Sequence, residues 1–490
     1  MISLNLKGLE IVKVVSLKRF ACSLLFGLVA TLGLASPPPL LPGRGEGLGG
    51  EVARRNSTFY REHCLFIKDG YLKRESARPE EILQNYEREA AGQTLVIHFH
   101  GGLVSESSAK KEAADLTSSC YGAVSYPVFF AWNADFFSEL GNLIESKYHN
   151  IAFSQGGVTT TTFLEGLYET AHENHWDAEH IKAAYAKFMK NEAQFQRAVS
   201  KQAKKEVDED ILSSGHDWSD WLKADTWRKA KDKIQKKVVN YFSPYVLAAM
   251  KYHDSKSVSW GGDFLEWIST NFGGRQIWST MKQDTALSFT VRNGVAGAGL
   301  QFLQALAKHH VPRIVLVGHS TGCIYILNFL KAVKTIMPRT RFDVIFLAPA
   351  NTYADTAKFL ASNAYTIRNF RMFGIRDTNE RHDHMLWQIN PSLEGIYPGS
   401  LLIYVARAVE ARHNIPILGL ERDFATPAAE PDRSNNLLVK RFLFNRPGST
   451  VWSPTNGPVG LSSNCVSHGD FWSDPKTLAS LRFLIRDRDW

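Results

Sequence analysis

The run Arg313 to Val317 (RIVLV) leads directly into Gly318-His319-Ser320-Thr321-Gly322, and an apolar helical pattern from Cys323 to Val333 follows at once. A short β-branched run of this kind reads as a buried strand. The glycines on either side of Ser320 let a strand turn sharply into a helix where a β-carbon would crowd the bend. A strand that feeds a helix in this way commits the chain to alternating β and α elements. Further buried-type strands are expected at Thr94 to Phe99 (TLVIHF), at Val128 to Trp132 after Pro127, at Asp343 to Leu347 and at Phe370 to Ile375, with a final strand at Arg441 to Phe444. Helices are expected from Ala109 to Leu116 with Ser105 as cap, from Ala286 to His309, from Ser400 to Glu410, and after Pro475. The alternation predicts an α/β fold with a mainly parallel sheet covered by helices on both faces.

The chain divides by character. Residues 1–36 carry Lys13, Lys18 and Arg19 before an uncharged run from Phe20 to Ala35, the pattern of an export signal or a membrane anchor. That run is about sixteen residues, against the roughly twenty that span a bilayer comfortably. The expected location is therefore exported, periplasmic or secreted, or anchored at a membrane by this segment. Residues 37–92 read as a linker and a mixed N-terminal segment. Residues 93–159 and 283–490 hold the strand rhythm, and 160–282 read as a helical cap insertion. Seven of the twelve tryptophans fall in that insertion, Trp278 among them.

The formal charge of +8 does not point to nucleic acid. Lys7, Lys13, Lys18 and Arg19, less Glu10, supply +3 of it from the N-terminus, and the rest is dispersed. The five cysteines fit neither a zinc spacing nor a disulfide scaffold, although Cys64 could pair with Cys120 in an exported protein. His172-x-x-His175 and His382-Asp383-His384 lack zincin spacing and a third ligand. No phosphate loop or dinucleotide fingerprint occurs, so neither a cofactor nor a metal is expected.

Ser320 is the candidate nucleophile, against the competing reading of a glycine turn with a surface serine. A serine hydroxyl needs a base. His468, in a loop beside Gly469 and just before Pro475, is the leading candidate, with His382, His384 and His413 as rivals. The base in turn needs a carboxylate to orient it and to stabilise its charged form. Asp377, two residues beyond the strand FRMFGI, leads for that role, with Glu380, Asp383 and Asp355 as rivals. Oxyanion donors are expected from the backbone N–H of Thr321 and from the His100-Gly101-Gly102-Leu103 loop, at Gly102 or Leu103.

The segments LVIHFHGGL, VLVGHSTGC, FRMFGIRD, YPGSLLIYVARAVE and VSHGDFWSDP resemble the α/β-hydrolase superfamily, and more narrowly the large lipase- and esterase-like serine hydrolases of bacteria. The resemblance implies an α/β-hydrolase fold and a Ser320–Asp377–His468 triad. It also implies hydrolysis of a carboxylic ester, of small-molecule or lipid type, through an acyl-enzyme. One departure is that the large insertion precedes the nucleophile strand, whereas the superfamily usually places its lid later. The alternatives are a catalytically lapsed binding protein on the same scaffold and an acyltransferase using the same residues.

Overall fold

A computed structural model describes residues 57–102, 104–132, 134, 256, 266, 269–270, 274–384, 399–426 and 428–490. The chain divides into two compact units, one made of residues 1–36, 137–274 and 384–399, the other of 37–136, 275–383 and 400–490. Nearly all the described residues belong to the second unit. The export signal, most of the insertion, the pair His172 and His175, and Leu103 lie outside the described residues.

The second unit is built on eight strands. In chain order these are β1 (Cys64–Lys68), β2 (Tyr71–Leu72), β3 (Leu95–Phe99), β4 (Tyr126–Trp132), β5 (Ile314–His319), β6 (Phe342–Leu347), β7 (Ile367–Ile375) and β8 (Thr450–Ser453). Their order across the sheet is β8-β7-β6-β5-β3-β4-β1-β2. Only β2 is antiparallel to its neighbour, so this is a mostly parallel mixed sheet of an α/β fold. The chain runs outward from β3 to β4, then returns to lay β5 on the other side of β3. The C-terminal ends of β3 and β5 therefore flank a topological switch point, where open α/β sheets form their clefts.

Strand alternation sends neighbouring side chains to opposite faces. On one face Phe99 meets Tyr325 and Phe329 of the helix α5, with ring centroids 5.0 and 5.9 Å away. On the other, His98 bonds Tyr121 and Glu112. The helices are α1 (Pro79–Ala90), α2 (Glu106–Leu116), α3 (Gly274–Leu287), α4 (Ala298–Leu306), α5 (Gly322–Ile336), α6 (Tyr353–Asn363), α7 (Asp377–Glu380), α8 (Leu401–Tyr404), α9 (Glu421–Ala425), α10 (Arg433–Phe444) and α11 (Pro475–Arg486). Helices α1 and α4 pack together, as do α5 with α6 and α6 with α10. The π turn Thr117–Tyr121 that ends α2 packs on α11, with Arg482 donating to the Ser119 carbonyl. Ser105 caps α2 by accepting from the Ser108 N–H, and Asp474 caps α11 from Thr477.

At the N-terminal edge of the sheet, Asp343 is fully buried between Arg313 and Arg368. The Arg313 guanidinium also donates to the carbonyls of Leu484 and Ile485 at the end of α11. One buried carboxylate thus ties β5, β6 and β7 together, and Arg313 ties them to the helix.

Four expectations need correction. Ala286 to His309 is not one helix: α3 ends at Leu287, and a hairpin (Val291–Arg292 with Val295–Ala296) precedes α4. Asn293 and Gly294 take positive φ at its tip, the geometry that a two-residue primed turn requires. Arg441 to Phe444 is the last turn of α10, with Phe444 exposed, and the last sheet strand is β8. Residues 64–72 supply β1 and β2, turned through Asp69 and Gly70 at positive φ. Pro127 lies inside β4, where pairing with β1 begins only at Phe129, so its missing N–H leaves that ladder intact. In addition, Cys64 and Cys120 are separate buried thiols.

Candidate active site

Strand β5 ends at His319, and Ser320 turns the chain with φ at +52°. A non-glycine residue held in the left-handed region costs on the order of 1–3 kcal/mol, and such strain persists only where the surroundings enforce it. The Ser320 N–H donates to the Leu347 carbonyl at 2.8 Å, and its own carbonyl accepts from Cys323 at 3.1 Å and from Ala350 at 3.2 Å. With every backbone group held, the hydroxyl is buried and has no hydrogen-bond partner among the described residues. That burial excludes the surface-serine reading.

The glycines are there for space. A β-carbon at Gly322 would stand 2.0 Å from the Phe99 carbonyl oxygen, and one at Gly318 would stand 2.9 Å from the Cys323 nitrogen. A β-carbon at Gly102 would approach Thr321 Oγ1 to 2.5 Å, and one at Gly101 would approach His319 Nδ1 to 2.7 Å. The Gly101–Gly102 loop after β3 therefore lies directly against the serine turn. Thr321 stands at the head of α5, where the first N–H groups have no partner within the helix. The N–H groups of Thr321 and Gly102 thus come from two elements that touch.

His468 comes to the same place. His319 Nε2 donates to the His468 carbonyl at 3.0 Å, and the two rings lie 4.7 Å apart. Trp472 packs edge-on against His319 at 4.0 Å. His319, the variable residue inside the glycine–serine motif, thus fastens the histidine loop to the nucleophile strand. Among the described residues both His468 ring nitrogens lack hydrogen-bond partners, so Ser320 and His468 are not hydrogen-bonded to each other. Burial pushes the His468 imidazole down to about 3, which keeps the ring neutral.

Asp377 is placed differently from its expected role. Its carboxylate accepts from Arg381 at 3.1 Å and from Arg422, and its N–H donates to Glu421. The carboxyl group that reaches the histidine loop belongs to Asp383, whose Oδ2 accepts the backbone N–H of His468 at 3.0 Å. Burial raises the Asp383 carboxyl to about 7 against the lowering pull of its bonds to the Ser467 side chain and the His468 N–H. Glu380 is fully buried, and desolvation holds its carboxyl well above the usual range. Asp355 is exposed at the start of α6. Of the rival histidines, His382 is exposed and bonded to the Thr378 carbonyl, His413 is bonded to Arg407, and His384 belongs to the other unit.

No family model, curated protein or solved structure matches this chain.

Several buried polar atoms lack partners around this turn. Besides Ser320 Oγ and both His468 nitrogens, they include Thr321 Oγ1, His319 Nδ1 and both side-chain amide atoms of Asn351. Asn351 is next to Ala350, whose N–H holds Ser320. Buried polar groups are nearly always paired, and each exception calls for an explanation. The residues present can supply a nucleophile, a neutral base, a carboxyl group beside that base, and two backbone donors.

Proposed function

We propose that this chain is a serine hydrolase of the α/β-hydrolase kind that cleaves carboxylic esters. The observation that carries the reading is Ser320, strained and buried at a strand-to-helix turn at the switch point, against the glycine loop and next to His319, which holds the His468 loop. The chain order supports it, because the serine follows β5, the candidate acids follow β7, and the histidine follows β8. In this mechanism His468 takes the Ser320 proton as the hydroxyl attacks the ester carbonyl. The N–H groups of Thr321 and Gly102 hold the developing oxyanion, each worth about 2.7–4 kcal/mol by mutational precedent. Protonated His468 then gives its proton to the leaving alcohol, and water, activated by the same imidazole, releases the acid. Asp383 is the candidate acid nearer the base, since it accepts the backbone N–H of His468, whereas Asp377 is held by two guanidiniums.

A lapsed binding scaffold is the second reading, favoured by the missing Ser320–His468 bond. Catalytic hydrogen bonds often tighten only once substrate is present, so that gap weighs little against the hydrolase. A fluorophosphonate probe separates the two readings. The hydrolase reading expects covalent labelling of the folded protein that disappears in Ser320→Ala and His468→Ala. Folded protein that resists the probe would leave only the scaffold.

A further inference from the structure

A narrow, partly open apolar cleft adjoins the two residues proposed as oxyanion donors. It is lined by Gly102, Thr321, Trp278, Leu401, Tyr404 and the π-turn residues Val405 and Val409, and its volume is about 10 Å³, about the space that one water molecule needs. Every wall is carbon-rich, and Trp278 is itself buried. Helix α3 presents Trp278, Met281 and Lys282 along one face. The indole N–H donates to Glu410 Oε1 at 2.6 Å, and Lys282 donates to both Glu410 oxygens at 2.7 and 2.9 Å. Glu410 is buried just past the end of the π turn that carries Val405 and Val409. One carboxylate thus locks the tryptophan wall to the valine wall.

We infer that this cleft receives the acyl group of the substrate and that Trp278, held by Glu410, limits that group to about acetyl size. The inference rests on the hydrolase reading, because an acyl carbon held by Thr321 and Gly102 must carry its chain into the space beside them. The walls offer no charge to an acyl chain, so they take an alkyl group. So small a volume takes a methyl and refuses a longer chain unless a wall moves. A pinned indole moves less readily than an aliphatic side chain, since moving it breaks a buried hydrogen bond to an ionised group. The substrate class is thereby acetyl esters, with the alcohol portion outside this cleft.

The test uses the full-length chain with p-nitrophenyl acetate, butyrate and hexanoate. Each methylene that a hydrophobic pocket cannot house costs about 10-fold or more in kcat/KM. The wild type is expected to prefer acetate over hexanoate by at least about 100-fold. Trp278→Ala should bring the two within about 10-fold by raising hexanoate turnover, and Val409→Ala should shift the preference the same way from another wall. Glu410→Gln, which keeps the shape and weakens the hold on the indole, should relax selectivity in part by raising hexanoate turnover relative to acetate. Fluorophosphonate labelling at Ser320, run beside each variant, reports whether the serine is active and the protein folded. Active labelling with a flat chain-length profile, or with hexanoate preferred in the wild type, overturns the acetyl assignment and leaves the hydrolase intact. Absence of labelling in the wild type overturns both.

Discussion

Asp383 combines a buried carboxyl, a raised pKa and a bond to the histidine loop, and its titration has two measurable consequences. The native state holds a proton on it up to about pH 7, whereas an unfolded aspartate releases its proton near 3.9. Between those values the native protein binds more protons than the unfolded chain. Stability from this group is full below the lower value and is lost as pH rises through the higher one. Asp383→Asn removes that loss, at most on the order of 4 kcal/mol, so its melting temperature should gain on wild type between pH 4 and pH 8. A difference that stays constant across that range would show that Asp383 is ionised in the folded protein. With Asp383 as the acid of the proposed triad, its carboxyl must ionise to support His468, so on that reading kcat/KM rises with pH through about 7. The variant should lose about 10³–10⁴-fold in activity, as expected when the acid of a triad is neutralised. Asp377→Asn should stay within about threefold, because its carboxylate serves Arg381 and Arg422.

At the level of elements, β3, β4, β5, β6 and β7 were legible in the sequence as apolar, β-branched runs, and the serine turn was legible from its glycines. Ser320 and His468 are candidates from that motif and from their order along the chain. Which carboxyl group meets the histidine loop was not legible, because Asp377 and Asp383 both follow β7 within a few residues and only folding decides between them. His319 was hidden for another reason: as the variable position of the motif, its identity carries no signal until its partner is known. Strand β1 escaped notice because its five residues sit in a mixed stretch, although Asp69-Gly70 marked the turn behind it. Arg441 to Phe444 resembled a strand because four residues cannot distinguish a period of 2 from one of 3.6. The clamp at the N-terminal edge of the sheet yields a prediction at this scale. Asp343→Ala leaves Arg313 buried without its countercharge, and breaking such a pair costs about 3–5 kcal/mol. A urea midpoint lowered to match, with unchanged kcat in the protein that remains folded, is the expected result. An unchanged midpoint would mean that the two arginines find other partners.

Over the whole molecule, the four thiols outside the N-terminal segment report on the integrity of the core. Cys64, Cys120, Cys323 and Cys465 are buried and unpaired, and burial pushes Cys64, Cys120 and Cys465 up to about 12 and raises Cys323 as well. A thiol reacts as its thiolate. In a Cys22→Ser background, the native protein should therefore react with a thiol reagent only at the rate of unfolding, and all four thiols should react at once in denaturant. A fast phase in native buffer would mean that part of the core opens locally.

The sheet's connectivity also bears on how the protein comes to be made. The glycine loop and the serine turn meet because β3 pairs with β5, with Leu95 opposite Ile314. Arg313, at the foot of β5, is held by Asp343 and by carbonyls at the end of α11. Closing contacts so distant along the chain is entropically costly and slows folding. A chain emerging from the ribosome can therefore complete this clamp beneath the nucleophile strand only after the segment carrying Leu484 and Ile485 has been made.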